Sequence, residues 1–135
     1  MRNFKIQELI ADGASKTEMA QELADWMTAK DVVIPVYEDR RKKHRTFYQY
    51  IDRFGYWLEV DLNSVLAIAK AKTGNQWTNH MAREFKNQIK YHENYKERSE
   101  FGLPENEILC RYGKVFNIET GETRQIRKDD YALNR

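Results

Sequence analysis

The sequence predicts an α+β fold in which a small antiparallel sheet packs against about four helices. Apolar residues recur at helical spacing in two separate parts of the chain, near residues 19–27 and 77–89. Between and after these parts, β-branched and aromatic runs alternate with glycine-containing turns, which is typical of short antiparallel strands. With 135 residues, of which 41% are hydrophobic, the chain can bury one modest core. We therefore expect one domain over residues 1–126 and a linker over residues 127–135.

Two helices are predicted before the first strand. Residues 4–10 form a short helical segment, which the Asp-Gly pair at 12–13 ends. Ser15 and Glu18 have the spacing of a capping box, so a second helix is predicted to begin there and to continue to about Lys30.

A proline and a turn define the next elements. Residues 32–37 are rich in β-branched side chains, but Pro35 has no backbone N–H and confines this segment to an edge strand or an extended connection. Residues 46–51 and 56–60 are strand-like and flank a glycine-containing loop at 52–55, which predicts a β-hairpin.

Two further helices follow the hairpin. Asp61 is a suitable N-cap for a helix over residues 62–72, which Gly74 ends. A longer helix is predicted over residues 76–95, because four apolar residues recur at every fourth position on one face. Residues 96–106 are predicted to form a loop. The four apolar positions are Trp77, Met81, Phe85 and Ile89.

The closing segment predicts a small meander of short strands. Within residues 108–122, Gly113 and Gly121 supply the positive φ that two tight turns need. Cys110 has no second cysteine in the chain with which to form a disulfide or a zinc site, so we expect a packed thiol. Strand-forming bulk comes from Val115, Phe116 and Ile118.

Charge and aromatic residues together indicate a nucleic-acid site. The net charge is only +2, but residues 40–45 carry five full positive charges. Basic side chains neutralise phosphates and exposed rings stack on bases, which is the combination that binds single strands. The predicted contacts are Arg40, Arg41, Lys42, Lys43 and Arg45 for the phosphates, and Tyr48, Tyr50 and Trp57 for the bases.

The hairpin rings also have a purely structural interpretation. Alternation puts Phe47, Gln49 and Ile51 on one face of the strand and Tyr48 and Tyr50 on the other. In a two-layer domain, at most one of these faces can be the core face. The alternative is that both rows are buried and that the basic run is an ordinary solvated loop.

The sequence offers little for catalysis. His44, His80 and His92 are far apart and lack metal-binding spacing, so surface positions are expected for all three. The Gly-Lys pair at 113–114 is followed by valine and is not a P-loop. The acidic pair at 129–130 has no second acidic cluster to complete a metal site. We expect a protein that is not an enzyme and needs no cofactor or metal.

The end of the chain resembles a sequence motif found in one protein family. The similarity is to the sequence that precedes the helicase module of phage, plasmid and poxvirus-type primase–helicases of superfamily 3. It covers residues 114–122, Lys-Val-Phe-Asn-Ile-Glu-Thr-Gly-Glu, and residues 130–135, Asp-Tyr-Ala-Leu-Asn-Arg. The family also has a hairpin with two tyrosines and a tryptophan, a pattern that the hairpin here resembles. One departure is Tyr112, which stands where the family usually has asparagine.

This resemblance implies a pre-helicase (N-terminal or collar) domain of a DNA-replication protein, which assists DNA engagement and oligomer assembly. The ATP-binding residues of the family have no counterpart here, so the domain is expected to work detached from its motor. The expected partners are DNA, with the single strand preferred, a replication helicase or primase, and a second copy of the chain. No run approaches the length of a membrane helix, and a cytoplasmic protein is expected, in the bacterial host if it is phage-encoded.

Two alternatives remain open. The domain could be a protein–protein adaptor that docks on a helicase, a primase or a host replication factor through its helical face. It could also be a small transcriptional regulator, because residues 6–24 resemble the first two helices of a helix-turn-helix. The β-branched segment at 32–37 provides no recognition helix, which favours a plain helical hairpin.

Overall fold

The computed structural model describes residues 4–30, 32–37 and 45–133, and only the backbone of Arg45. Within these ranges four helices and two small sheets confirm the predicted α+β fold. The helices are α1 (Ile6–Ala11), α2 (Lys16–Ala29), α3 (Leu62–Thr73) and α4 (Asn79–Lys90). The strands are β1 (Val33–Tyr37), β2 (Arg45–Ile51), β3 (Tyr56–Val60), β4 (Lys96–Glu97), β5 (Glu107–Cys110), β6 (Lys114–Asn117) and β7 (Thr123–Gln125).

Side-chain caps start the helices where the sequence predicts them. The hydroxyl of Ser15 accepts a hydrogen bond from the backbone N–H of Glu18 at 3.1 Å, at the start of α2. The carboxylate of Asp61 accepts the N–H of Ser64 at 2.7 Å, at the start of α3. These bonds satisfy backbone donors that have no partner inside the first turn of a helix. At its other end α3 stops at Gly74, whose φ is +55°.

The fourth helix is shorter than predicted. It begins at Asn79 because Thr78 is its N-cap, accepting the N–H of Met81 at 3.1 Å. Trp77 therefore precedes the helix, although its ring still packs on Phe85 with 6.1 Å between centroids. The helix ends at Lys90 rather than near residue 95.

The first face of the four-stranded sheet packs on the helices. Helices α2 and α4 pack against each other in this layer. Each large apolar side chain that is fully buried contributes ~1.5–3 kcal/mol, so this layer is a principal source of stability. Its buried residues include Met19, Leu23, Met27, Val33, Phe47, Val65, Met81, Phe85 and Ile89.

The strand order is β3-β2-β1-β4, so β1 lies inside the sheet and the prediction of an edge strand is wrong. Strand β1 runs antiparallel to β2 and parallel to β4. However, β4 pairs only with Val36 and Tyr37, which leaves Pro35 beyond the end of that ladder. The proline is tolerated because its missing N–H falls where the sheet has no neighbour on the β4 side.

The second face of the same sheet is also covered, which the two-layer prediction did not foresee. Ile34, Val36, Tyr48 and Trp57 are buried on this face together with Phe101. The cover comes from the chain after β4 and from the residues near the end of the described chain. Consequently the sheet is the middle of three layers, and both faces of the hairpin are packed.

The three-stranded sheet has the order β5-β6-β7 and confirms the predicted meander. Its turns use Gly113, at φ +68°, and Gly121, at φ +75°. Beyond it the chain stays within the fold, since Ala132 is fully buried and Leu133 forms a parallel bridge with Trp57. Packing therefore extends to residue 133, past the boundary at 126 that the sequence predicts.

An arginine clamp fixes this closing segment. The Arg124 guanidinium donates to Asp130 at 2.8 Å and to Glu107 at 3.1 Å. The backbone N–H of Arg127 also donates to Asp130, at 2.7 Å. Burial acts to raise the pKa of Asp130, but the hydrogen bonds from Arg124 and Arg127 outweigh it and hold this pKa below its usual range.

Two side chains differ from the sequence predictions. Cys110 is exposed, because it lies on the outward face of β5, an edge strand. His92 is only 7% exposed, although a surface position was expected. Its Nδ1 accepts the N–H of Asn94 at 3.0 Å, so Nε2 carries a proton and donates it to Asp25 at 2.6 Å. These bonds satisfy an imidazole that would otherwise be costly to bury.

Gly55 should be far less tolerant of a side chain than Gly121. Both have positive φ, but a Cβ at Gly55 would lie 2.3 Å from Ile126 Cγ2, whereas one at Gly121 meets nothing within 4 Å. We expect Gly121→Ala to lose ~1–2 kcal/mol from backbone strain alone, and Gly55→Ala to lose a further ~1–3 kcal/mol from overpacking. Urea unfolding of the two variants measures this difference, and equal losses would contradict the close approach.

Asp130 should contribute to acid sensitivity. Because its pKa in the folded state is lowered, its contribution to stability is present above the unfolded pKa of about 3.9 and is lost as the pH falls through the folded pKa. We expect Asp130→Asn to be less stable at neutral pH and to lose less further stability between about pH 5 and about pH 2 than the unmodified chain.

The matched control for this measurement is Asp129→Asn. That carboxylate has a side chain 76% exposed and lies 3.8 Å from Arg127, so its removal should leave the pH profile of urea unfolding unchanged. If both variants shift the profile equally, the clamp is not the source of the effect.

Candidate nucleic-acid interface

The predicted basic run connects two adjacent strand ends. Arg40, Arg41, Lys42 and Lys43 lie outside the described residues. Arg45 is the first residue of β2 and pairs with Tyr37, the last residue of β1. Tyr37 and Arg45 therefore lie at the same end of the four-stranded sheet, where Tyr37 also pairs with Glu97 of β4.

Two of the three predicted stacking rings are buried. Tyr48 is 3% exposed, and its ring meets that of Phe101 with 4.6 Å between centroids. Trp57 is 1% exposed, and its indole N–H donates to the carbonyl of Lys128 at 3.1 Å. In this conformation neither ring can present a face to a base. Their role in the structure is to fill the second face of the sheet, as the structural interpretation of the hairpin anticipated.

Tyr50 is half-buried and already has a cation on its ring. The ammonium of Lys128 lies 5.0 Å from the ring centroid. Burial raises the pKa of the Tyr50 hydroxyl, and the charges of Asp52 and Asp130 raise it further. The hydroxyl consequently stays protonated at neutral pH.

Three cations lie against tyrosine rings on the second face of the sheet. We call Lys96, Arg98 and Lys128 the cation row. Lys96 and Arg98 come from the chain that begins with β4, and Lys128 comes from the closing segment. Each cation is close enough to its ring for a cation–π contact. The distances to the ring centroids are 4.7 Å for Lys96 over Tyr131, 5.8 Å for Arg98 over Tyr48 and 5.0 Å for Lys128 over Tyr50.

A second group of basic and aromatic side chains lies at the other end of the hairpin. The β2–β3 turn and the β5–β6 turn line one open depression of about 480 Å³. Phe54 is 46% exposed and Tyr112 is 90% exposed. Sequence reasoning did not select either residue as a site, although each stands in a glycine-containing turn next to an arginine. We call Arg53, Phe54, Tyr56, Arg111 and Tyr112 the turn cluster.

The structure gives no sign of a metal or membrane site in the part of the chain it describes. Over residues 4–30, 32–37 and 45–133, His, Cys, Asp and Glu side chains do not gather in groups of three or more that could hold a metal ion. Among the same residues, every helix is too short or too polar to cross a bilayer.

Comparisons with known proteins add no family to these observations. No protein-family model matches the chain, and no curated protein matches it. The interpretation of the site therefore depends on its geometry and on the sequence resemblance described above.

Replacing Trp57 should change stability and leave nucleic-acid binding unchanged. We expect Trp57→Phe to lose ~0.5–1.5 kcal/mol with the indole hydrogen bond, and more from the volume that is removed. Because the Trp57 ring is 1% exposed, the affinity of the Trp57→Phe variant for single-stranded DNA should equal that of the unmodified chain. Both affinities are measured well below the unfolding transition. Weakened binding with unchanged stability would show that the ring contacts DNA after all.

Proposed function

We propose that this chain is a non-catalytic accessory domain of a phage or mobile-element primase–helicase, and that it engages single-stranded DNA and assists oligomer assembly. The observation that carries the proposal is the cation row, which places three positive charges on one face of the sheet. Sequence resemblance supplies the replication context, with a helicase or primase as the protein partner.

The position of the cation row favours binding to a phosphate backbone. Arg98 follows Glu97, which pairs with Tyr37 next to the start of the basic run. From there the row continues to Lys128, beside Tyr50 near the other end of the hairpin. Cations arranged along such a path can neutralise successive phosphates of one strand.

The acidic residues nearby weaken the positive potential of the cation row only in part. Lys96 pairs with Glu100 at 3.8 Å, a partly exposed contact of the kind that contributes little and is screened by salt. Lys128 donates to the carbonyl of Lys30 at 2.9 Å, which holds its side chain in place and leaves its charge intact. Both side chains can therefore still be attracted to a phosphate.

Two sets of substitutions test the proposal by fluorescence anisotropy with a single-stranded oligonucleotide and a matched duplex. For single strands the salt slope changes by ~0.7 per phosphate contact. We expect the slope to fall by about 2 when the cation row is changed to glutamate, and by about 3 to 4 when the five predicted basic contacts at 40–43 and 45 are changed to alanine.

A matched control keeps the change in net charge and moves it to the helical layer. Lys70, Arg83 and Lys86 are exposed on α3 and α4, away from the sheet. Changing these three to glutamate should leave the affinity for the single strand and its salt slope close to those of the unmodified chain. Equal losses in the control and in the cation-row variant would mean that only overall charge matters, which would defeat the proposed interface.

An adaptor function is the second candidate, and one observation favours it. Ile108 is 50% exposed on the edge strand β5, and Ile118 is 53% exposed nearby, where its N–H donates to Asn106 at 2.9 Å. An edge strand with exposed apolar residues can accept a strand from another protein. Absence of DNA binding in the anisotropy experiment would favour this function.

A further inference from the structure

We propose that the turn cluster is a stacking site for unpaired nucleobases, at the opposite end of the hairpin from Arg45. The inference rests on the proposed function, because it assigns the base contacts of a single strand whose phosphates follow the cation row. As base contacts, Phe54, Tyr56 and Tyr112 replace Tyr48 and Trp57, whose rings are buried. Phe54 and Tyr112 are exposed, and sequence reasoning did not select any of the three as a site residue.

The rings of the cluster are arranged for stacking. Phe54 and Tyr56 are nearly parallel, with 16° between their planes and 5.4 Å between their centroids. The Arg53 guanidinium lies 5.3 Å from the centroid of Phe54. Aromatic faces flanked by a guanidinium are the elements on which successive bases of a single strand stack.

Tyr112 is the most exposed ring and has a strained backbone. Its φ is +64° and its ψ is +28°, a left-handed conformation that asparagine and glycine adopt far more easily than a bulky aromatic residue. Together with Gly113 it forms a turn with two successive positive φ angles. The fold thus accepts backbone strain in order to hold a 90% exposed ring at this point, which indicates a functional role.

Both turns are held in place by one side chain. A Cβ at Gly55 would lie 2.3 Å from Ile126, and one at Gly113 would lie 3.0 Å from the same methyl group. The N–H of Ile126 donates to the carbonyl of Gly113 at 2.7 Å. Because Ile126 packs against both turns, the backbone that carries the rings is positioned before any ligand arrives.

Charge and size both suit an unpaired base with its phosphates. The described residues that line the depression include Arg53 and Arg111, and none of these lining residues carries a carboxylate. Its volume of about 480 Å³ lies within the ~300–1,000 Å³ that ligand sites have. Asp52 is exposed in the β2–β3 turn, and its negative charge lowers the local positive potential.

The two ends of the hairpin can hold one strand. Strand β2 has seven residues, which at ~3.3 Å per residue separates Arg45 from Ile51, at the start of the β2–β3 turn, by about 20 Å. A single strand of about 12 nucleotides is long enough to reach both and is within the site sizes known for single-strand binders.

The experiment compares an oligothymidylate of about 12 nucleotides with an abasic oligonucleotide of the same length and charge. We expect the native chain to bind the base-containing strand about tenfold more tightly, because phosphate contacts alone cannot distinguish the two. Tyr112→Asn should abolish most of this difference while it keeps the turn, since asparagine suits the left-handed conformation. Tyr91→Asn is the matched control, because Tyr91 is 69% exposed at the end of α4.

Cys110 gives an independent local readout. It is exposed and is the one cysteine of the chain, and it lines the same depression. We expect the base-containing strand to slow maleimide modification of this thiol severalfold and the abasic strand to leave the rate unchanged.

The outcomes separate the two proposals. Binding to neither oligonucleotide would overturn the proposed function and this inference together. Equal binding to both oligonucleotides would overturn the stacking site and leave the proposed function standing. The same holds for a preference for the base-containing strand that Tyr112→Asn does not reduce and that does not slow modification of the Cys110 thiol. An unfolding midpoint of Tyr112→Asn at or above that of the native chain would show that its loss of binding is not a loss of fold.

Discussion

The attachment of the closing segment to Trp57 is the interaction on which the rest of the structure depends. The backbone N–H of Trp57 donates to Ala132 at 2.7 Å, its indole donates to Lys128, and its strand bridges to Leu133. This attachment covers the second face of the sheet and brings Lys128 over Tyr50. One set of hydrogen bonds therefore both buries Trp57 and places Lys128 on the second face.

Local signals predicted most of the elements. Capping at Ser15 and Asp61 fixed two helix starts, and the two meander turns formed at their glycines, because these features depend on neighbours within a few residues. The interior position of β1 could not be predicted, since it depends on pairing with β4 some sixty residues further along the chain. His92 was likewise missed because its partner, Asp25, is 67 residues away in sequence.

The candidate site shows the same division between local and distant information. Composition drew attention to a hairpin rich in aromatic residues next to basic ones. Which rings remain accessible depends on what covers each face, and that cover comes from Phe101 and from residues near 131. Period-2 alternation can sort side chains into two faces, but it cannot tell that both faces will be packed. Tyr112 was noted only as a departure from the family motif and was not selected as a site residue, because its residue type reveals neither its exposure nor its left-handed backbone conformation.

The cover of the second face also has a consequence for how the chain folds. Trp57 and Lys128 are 71 residues apart, so this layer depends on contacts of high sequence separation, which form slowly. On the ribosome, the hairpin is complete well before the residues that cover it have been synthesised. Until they arrive, Ile34, Val36 and Trp57 form an uncovered apolar face on a sheet, which is the kind of surface that aggregates or recruits chaperones. Efficient production of the domain thus depends on how quickly its last described residues reach the hairpin.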